Sequence, residues 1–278
     1  MPLIETSWQT GDGIPIFARD WQPELPARAV VVMIHGLGDH SGRYAHIAAA
    51  MNAAGYAALA PDLRGHGRSG GKRGHFPSYA AVADDIECAL KEAANRYPGV
   101  PRFLYGHSLG GALVLFTILK RKPAIRGAIV TSPGLAPGMP QPAAKLAAAK
   151  VLNVLLPAFT LPNGLDLGNL SHDPAIQAAY FSDPLNHPLI SARLGMELIT
   201  QGAWVCSQKG EFPVPMLLLQ GTGDHLVSPA ATREFAAGLT GDVTYREWDG
   251  WYHELHNEPG KAEVIQTMVD WLNTKMVQ

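Results

Sequence analysis

The sequence predicts an α/β fold: a mostly parallel central sheet with helices on both faces, interrupted once by a helical insertion. Three observations carry this. Short apolar runs such as Ala29-Val30-Val31-Val32-Met33-Ile34 have no polar face, as strands buried on both sides require. They alternate with longer segments of helical periodicity, the pattern of a parallel sheet. The alternation stops at Ser132 and resumes at Val214, with prolines recurring through the gap. An insertion this long is expected to be a small helical subdomain rather than a loop. The expected organisation is a core over 1–135, a helical cap over 136–212 and the rest of the core over 213–278.

Taken in order, Ile4 to Trp21 reads as an antiparallel hairpin around Gly11-Asp12-Gly13, at one edge of the sheet. Ala29–Ile34 is the first buried strand. Tyr44 to Ala54 is alanine-rich and helical, closed by Gly55, and Tyr56–Ala60 is the next strand. Tyr79 to Tyr97 places Tyr79, Val82, Ile86, Leu90, Ala93 and Tyr97 on one helical face, with Ser78 near its start. Arg102–Tyr105, a helix over 111–120 and the strand Gly127–Thr131 follow. Within the insertion, 143–156, 174–181 and 191–206 are helical, and no strand is expected between Ser132 and Pro213. The remaining elements are strands Val214–Gln220 and Val243–Trp248 and helices Thr232–Leu239 and Lys261–Lys275.

Composition narrows the function classes. A chain of 278 residues can bury roughly three quarters of its unfolded surface. With 47% hydrophobic and 17% charged residues and a net charge of −2, nothing suggests a nucleic-acid or polyanionic partner. Cys88 and Cys206 are too few for a disulfide framework and read as inert thiols. The first residues carry no basic or apolar leader, and the longest apolar run, Leu146 to Leu161, is broken by Lys150, Asn153 and Pro157. Cytoplasmic residence is the expectation.

The chemistry centres on Gly106-His107-Ser108-Leu109-Gly110, set between a predicted strand and a predicted helix. That context marks a nucleophile elbow, which exposes a serine on a sharp turn and aims the next amide, that of Leu109, at the same space. In the α/β-hydrolase fold with this elbow, acid and histidine follow the serine in chain order on loops at the same sheet edge. Asp224, after the Val214 strand, and His253, after the last strand, occupy those places. Asp249 and Glu254 compete for the acid, and His225 and His256 for the base. The glycine-rich loop His35-Gly36-Leu37-Gly38-Asp39-His40 ends the first buried strand, where this fold takes its second oxyanion donor, assigned to Leu37 N–H. His35 and His40 are expected to shape that loop. Asp62, Arg64 and His66 are expected to hold the following one, and Asp39 with Arg43 to form a polar rim near the site or, by default, a solvated surface pair.

Gly-His-Ser-Leu-Gly-Gly at 106–111, His-Gly-Leu-Gly-Asp-His-Ser-Gly-Arg-Tyr at 35–44 and Asp-Leu-Arg-Gly-His-Gly-Arg-Ser at 62–69 resemble one branch of these enzymes. Gly-Thr-Gly-Asp-His-Leu-Val at 221–227 and Tyr-His-Glu-Leu-His-Asn-Glu at 252–258 extend the match over nearly the whole chain. The branch is that of the monoacylglycerol lipases and lysophospholipases. The resemblance implies a triad of Ser108, Asp224 and His253 and oxyanion donors at Leu37 and Leu109. It implies hydrolysis of a lipid ester, monoacylglycerol first, with no metal or organic cofactor. Lysophospholipase, short-chain carboxylesterase and serine peptidase are the alternatives, and a non-catalytic ligand binder is a remoter one. Gly223 stands where many members carry a larger side chain, from which a looser acid loop is expected. The apolar residues from Leu146 to Leu161 are expected to pack the cap, line an acyl tunnel or rest on a membrane or lipid aggregate.

Overall fold

The computed structural model describes residues 2–277. It opens with a hairpin of β1 (Leu3–Gln9) and β2 (Pro15–Trp21), paired from Leu3↔Trp21 to Gln9↔Pro15. Gly13 takes φ 80° in the turn, which a side chain would resist. There follow β3 (Ala29–Ile34), α1 (Ala45–Ala53), β4 (Tyr56–Pro61), α2 (Tyr79–Arg96), β5 (Arg102–His107), α3 (Leu109–Arg121) and β6 (Gly127–Thr131). Between β6 and the next long strand lie α4 (Ala143–Leu155), β7 (Thr160–Pro162), α5 (Pro174–Ser182), β8 (Leu189–Ser191), α6 (Ala192–Cys206) and β9 (Gly210–Glu211). The chain closes with β10 (Met216–Gly221), α7 (Pro229–Ala237), β11 (Leu239–Thr240), β12 (Val243–Trp248) and α8 (Lys261–Val277).

Eight strands form one sheet in the order β1-β2-β4-β3-β5-β6-β10-β12, antiparallel at β1/β2 and β2/β4 and parallel elsewhere. This is the α/β-hydrolase architecture. Alternate side chains of each strand feed two cores, because successive residues point to opposite faces. Val30, Val32 and Ile34 pack with Val82 and Ile86 of α2, Leu113 of α3 and Phe235 of α7. Val31 and Met33 pack with Ile47 and Met51 of α1 and Met268 and Leu272 of α8. Each fully buried side chain of this kind contributes about 1.5–3 kcal/mol before chain entropy is counted.

The insertion contains strands that the sequence reading did not expect. β7 and β8 pair antiparallel and β9 pairs with β11, but each is two or three residues long, too short to show alternation. The insertion is also not uniform. α6 contributes Leu194 and Val205 to the core beside α3, whereas α4 buries no residue. The seventh helix starts at Pro229, three residues before the predicted Thr232, because Ser228 caps it through Ala231 N–H and Pro229 suits the first turn. No helix among the described residues is long and apolar enough to cross a membrane.

Candidate active site

Ser108 sits at the junction of β5 and α3 with φ 56° and ψ −120°, a conformation that costs a non-glycine residue about 1–3 kcal/mol. Its surroundings impose it. Ser108 N–H donates to Thr131 O at 3.0 Å, and Ser108 O accepts from Ala112 N–H at 3.0 Å and Gly134 N–H at 2.9 Å. The flanking glycines are required by close approach. A Cβ on Gly106 would lie 2.5 Å from Gly110 O, and one on Gly110 would collide with the Ile34 and His35 carbonyls. Leu109 opens α3, where an amide N–H has no partner within the helix. Gly134 packs on the same turn, where a Cβ would sit 3.6 Å from Leu109 N in ordinary van der Waals contact. Gly36, the residue before Leu37, backs onto Ser108 from the β3 side: a Cβ on it would lie 3.4 Å from Ser108 Cβ.

The predicted acid and base lie in line with that hydroxyl. His253 Nε2 is 2.8 Å from Ser108 Oγ and His253 Nδ1 is 2.7 Å from Asp224 Oδ2. Asp224 follows β10 and His253 follows β12, so two loops from neighbouring strands deliver them. Asp224 accepts on Oδ1 from Leu226 and Val227 N–H at 2.8 and 3.0 Å, and on Oδ2 from Gln220 Nε2 at 3.1 Å. Both side chains are buried. Burial alone would lower the pKa of His253, but the adjacent Asp224 carboxylate outweighs it and holds the imidazole above its ordinary value.

The competitors have other partners. Asp249 is exposed and accepts from Thr222 Oγ1 at 3.0 Å, and His225 is exposed against Tyr252. Glu254 accepts from both terminal nitrogens of Arg43, each at 2.8 Å. Burial would raise the pKa of Glu254, yet the Arg43 guanidinium pushes it down to about 2. His256 is buried in a stack with Tyr44 and meets His107 edge-on, and His107 in turn lies under His253, with ring centres 4.8 Å apart. Burial, with neighbouring imidazoles adding to it, keeps His107 and His256 well below the ordinary histidine pKa. His107, Glu254 and His256 bring ligand atoms within 4.8 Å of one another, but Arg43 already supplies the positive charge on that carboxylate.

The structure corrects two expectations. Asp39 and Arg43 are not a solvated surface pair: Asp39 is 3% exposed, and Arg43 lies between it and Glu254. The reason is that the loop after β3 turns inward under the loop after β12. Gly223 does not loosen the acid loop either. Its N–H donates to Trp251 O at 2.9 Å and its Cα abuts Gly250 O so closely that a methyl group would collide. His35 and His40 do shape their loop: His35 Nε2 accepts from Leu63 N–H at 2.8 Å, and His40 Nδ1 accepts from Gly42 N–H at 3.1 Å. Asp62 accepts from Ser41 and Arg68 N–H, each at 2.8 Å, holding the next loop.

Sequence reasoning missed three residues. Gln220 binds Asp224, and its Oε1 accepts from Thr232 Oγ1 at 3.1 Å. Ser132 Oγ donates to His253 O at 2.8 Å, and Asn169 O accepts from His253 N–H at 3.4 Å. A polar residue next to the end of the otherwise apolar β10 was the available signal for Gln220; Ser132 and Asn169 gave none.

A family model described as serine aminopeptidase, S33, matches residues 26–260. A monoacylglycerol lipase of Mycolicibacterium smegmatis is 35% identical over 96% of this chain and 96% of its own. An abhydrolase domain-containing protein of Dictyostelium discoideum is 36% identical over 96% of this chain, which spans 28% of that longer protein. The crystal structure of a Paleococcus ferrophilus monoacylglycerol lipase superposes with a TM-score of 0.84 at 35% identity, over 99% of this chain and 100% of that one. With the sheet order and the strained serine turn, these matches make the chain a member of the serine aminopeptidase S33 family of α/β-hydrolases, on the branch that includes the monoacylglycerol lipases.

Proposed function

We propose that the chain hydrolyses carboxylic esters of lipids, monoacylglycerols foremost, by acyl transfer through Ser108. The observation that carries this is the unbroken line from Ser108 Oγ through His253 to Asp224, at 2.8 and 2.7 Å. His253 Nε2 takes the hydroxyl proton while Oγ attacks the ester carbonyl, and Leu37 and Leu109 N–H receive the oxyanion. The imidazolium then protonates the glycerol oxygen as its bond to the acyl carbon breaks. Water adds to the acyl-enzyme, giving its proton to His253, and that proton returns to Ser108 Oγ as the fatty acid leaves. Asp224 stays ionised and steadies the imidazolium throughout. Relatives named monoacylglycerol lipases supply the substrate class.

Residues 136–212 serve as the cap in this reading. Tyr180 OH and His187 N–H donate to Gly38 O at 2.9 and 3.0 Å, and Leu170 O accepts from Glu254 N–H at 2.7 Å, so the insertion touches both loops beside Ser108. Val154 and Leu155 of α4 are 76% and 69% exposed, and Val151, Leu156, Phe159 and Leu161 extend the patch. Such an apolar face favours contact with a lipid aggregate or membrane surface. A peptidase would need a free acid for the substrate amine. Asp39 and Glu254 are held by Arg43, and Asp183 by His40 at 2.9 Å, which favours the ester.

The test is initial rates on monoacylglycerols of increasing chain length, beside a matched lysophosphatidylcholine and a short soluble ester, with Ser108→Ala as control. Preference for monoacylglycerol, lost in the variant, is expected. Turnover of the short ester alone retires the lipid reading.

A further inference from the structure

We propose that Arg43 is a positioning residue that fixes the oxyanion loop, the histidine loop and the cap in one register, so that Leu37 N–H and His253 address the same substrate carbonyl. The proposal rests on the reading of Ser108 and His253 given above. Three parts of the chain that are remote in sequence meet on one guanidinium. Its two terminal nitrogens each bond one oxygen of Glu254 at 2.8 Å, and Glu254 is covalently next to His253. Arg43 Nη1 also lies 3.3 Å from Asp39 Oδ1, two residues beyond Leu37. The guanidinium carbon sits 5.2 Å from the centre of the Tyr180 ring, on the cap.

Leu37 itself is held by its neighbours. Gly36 N–H donates to Tyr44 OH at 3.4 Å, and Tyr44 OH donates to Asp39 Oδ2 at 2.8 Å. Gly38, at φ 71°, gives its carbonyl to Tyr180 and His187 of the cap. Leu37 thus sits among groups tied to Asp39 and Tyr180, and Arg43 contacts both. The direct side-chain link from this loop to the histidine loop runs through Arg43 and Glu254, beside the backbone link through the cap. Lysine cannot replace it, because a single ammonium lacks the planar fork that engages both Glu254 oxygens and Asp39 together. A displacement on the order of 1 Å between donor and base is enough to cost about 100-fold in rate.

The test measures kcat and KM for a monoacylglycerol, and Ki for an alkyl trifluoromethyl ketone. Ser108 Oγ adds to that ketone to form a hemiketal oxyanion, so its Ki reads the alignment of serine, base and donors without turnover. Arg43→Lys is expected to lower kcat about 10- to 100-fold and raise Ki by a similar factor, with KM within about threefold. Glu254→Gln keeps the side-chain size, loses one arm of the fork, and is expected to move kcat and Ki in the same directions should the lysine variant fold poorly. Arg64→Lys is the comparator: Arg64 forks onto Asp85 at 2.6 and 2.7 Å and onto Asp12 at 2.8 and 3.1 Å. It should lose thermal stability while kcat and Ki hold. Wild-type kcat and Ki in a folded Arg43→Lys or Glu254→Gln overturn the proposal, as does an equal loss in Arg64→Lys. A wild-type protein that neither turns over the ester nor binds the ketone overturns the reading of Ser108 and, with it, the proposal.

Discussion

Asp224→Asn is the substitution whose consequence the geometry defines most fully. All four hydrogen bonds to the Asp224 carboxylate come from N–H donors: two backbone amides on Oδ1, and His253 and Gln220 on Oδ2. An asparagine has to turn its NH2 to one side. Facing Leu226 and Val227, it meets two fixed amides that cannot change role. Facing His253 and Gln220, it meets one group that can and one that loses a single bond. Gln220 keeps its orientation, because its Nε2 also donates to Gly221 O at 3.1 Å and its Oε1 accepts from Thr232 Oγ1 at 3.1 Å, so only its bond to residue 224 is lost. His253 can accept on Nδ1 by moving its proton to Nε2, where it blocks acceptance of the serine proton. The protein therefore keeps its fold, losing about 1 kcal/mol of hydrogen bonding, and keeps the wrong tautomer. An unrelated triad with the same change loses about 10⁴ in kcat, which at 1.36 kcal/mol per tenfold is about 5.5 kcal/mol of barrier. The pH profile gives a second check. Against the burial that would lower it, Asp224 raises the His253 pKa, so the acid limb of kcat/KM lies above the ordinary histidine value of 6.5 in the wild type and shifts to lower pH in the variant. The assay is steady-state ester hydrolysis from pH 5 to 9 on variants of matched melting temperature. An Asp224→Asn enzyme retaining more than about a tenth of wild-type kcat refutes the tautomer argument.

Three other outcomes are expected. Ser108→Gly abolishes turnover but relieves the φ 56° strain, raising stability by about 1 kcal/mol, or 2–4 °C by calorimetry, whereas Ser108→Ala gives no such gain; equal melting temperatures for the two variants contradict this. Gly223→Ala drives a methyl group into Gly250 O, displaces the acid loop and lowers both melting temperature and kcat, the latter about tenfold or more; wild-type behaviour would mean that the loop yields freely. Stability falls with acid in two windows. Burial holds His66, His107 and His256 neutral, with folded pKa values well below 6.5, so the unfolded chain binds their protons first. Their contribution is complete above pH 6.5 and is lost below it, at up to about 1.4 kcal/mol per pH unit per ring. Glu254, kept at about 2 by Arg43 against the effect of burial, contributes fully above 4.5 and loses its part between 4.5 and 2. Urea midpoints at pH 7.5, 5.5 and 3.5 check this, and equal midpoints at the first two values contradict it.

The centre of the sheet was legible because its strands are apolar on both faces. Ala29–Ile34, Tyr56–Ala60 and Gly127–Thr131 leave no alternative to burial, and the glycines at 106 and 110 mark the turn between strand and helix. Ser108 was marked by its elbow motif, and Asp224 and His253 by chain order, which depends only on topology. What escaped detection depends on contacts between remote loops. Asp39 and Arg43 form an i, i+4 pair whose spacing is also that of a surface pair, and only the fold brings Glu254 to them. Gly223 read as slack because sequence cannot show the carbonyl of Gly250 against it. β7 and β8 were missed because three residues cannot display a period of two.

Acylation of Ser108 by a lipid ester is tested by stoichiometric reaction with a fluorophosphonate, peptide mapping of the adduct, and monoacylglycerol hydrolysis followed as labelling proceeds. One adduct per chain is expected, on the peptide containing Ser108, with activity falling in proportion to occupancy. An adduct elsewhere, or full monoacylglycerol hydrolysis with Ser108 blocked, rules out Ser108 as the acyl carrier.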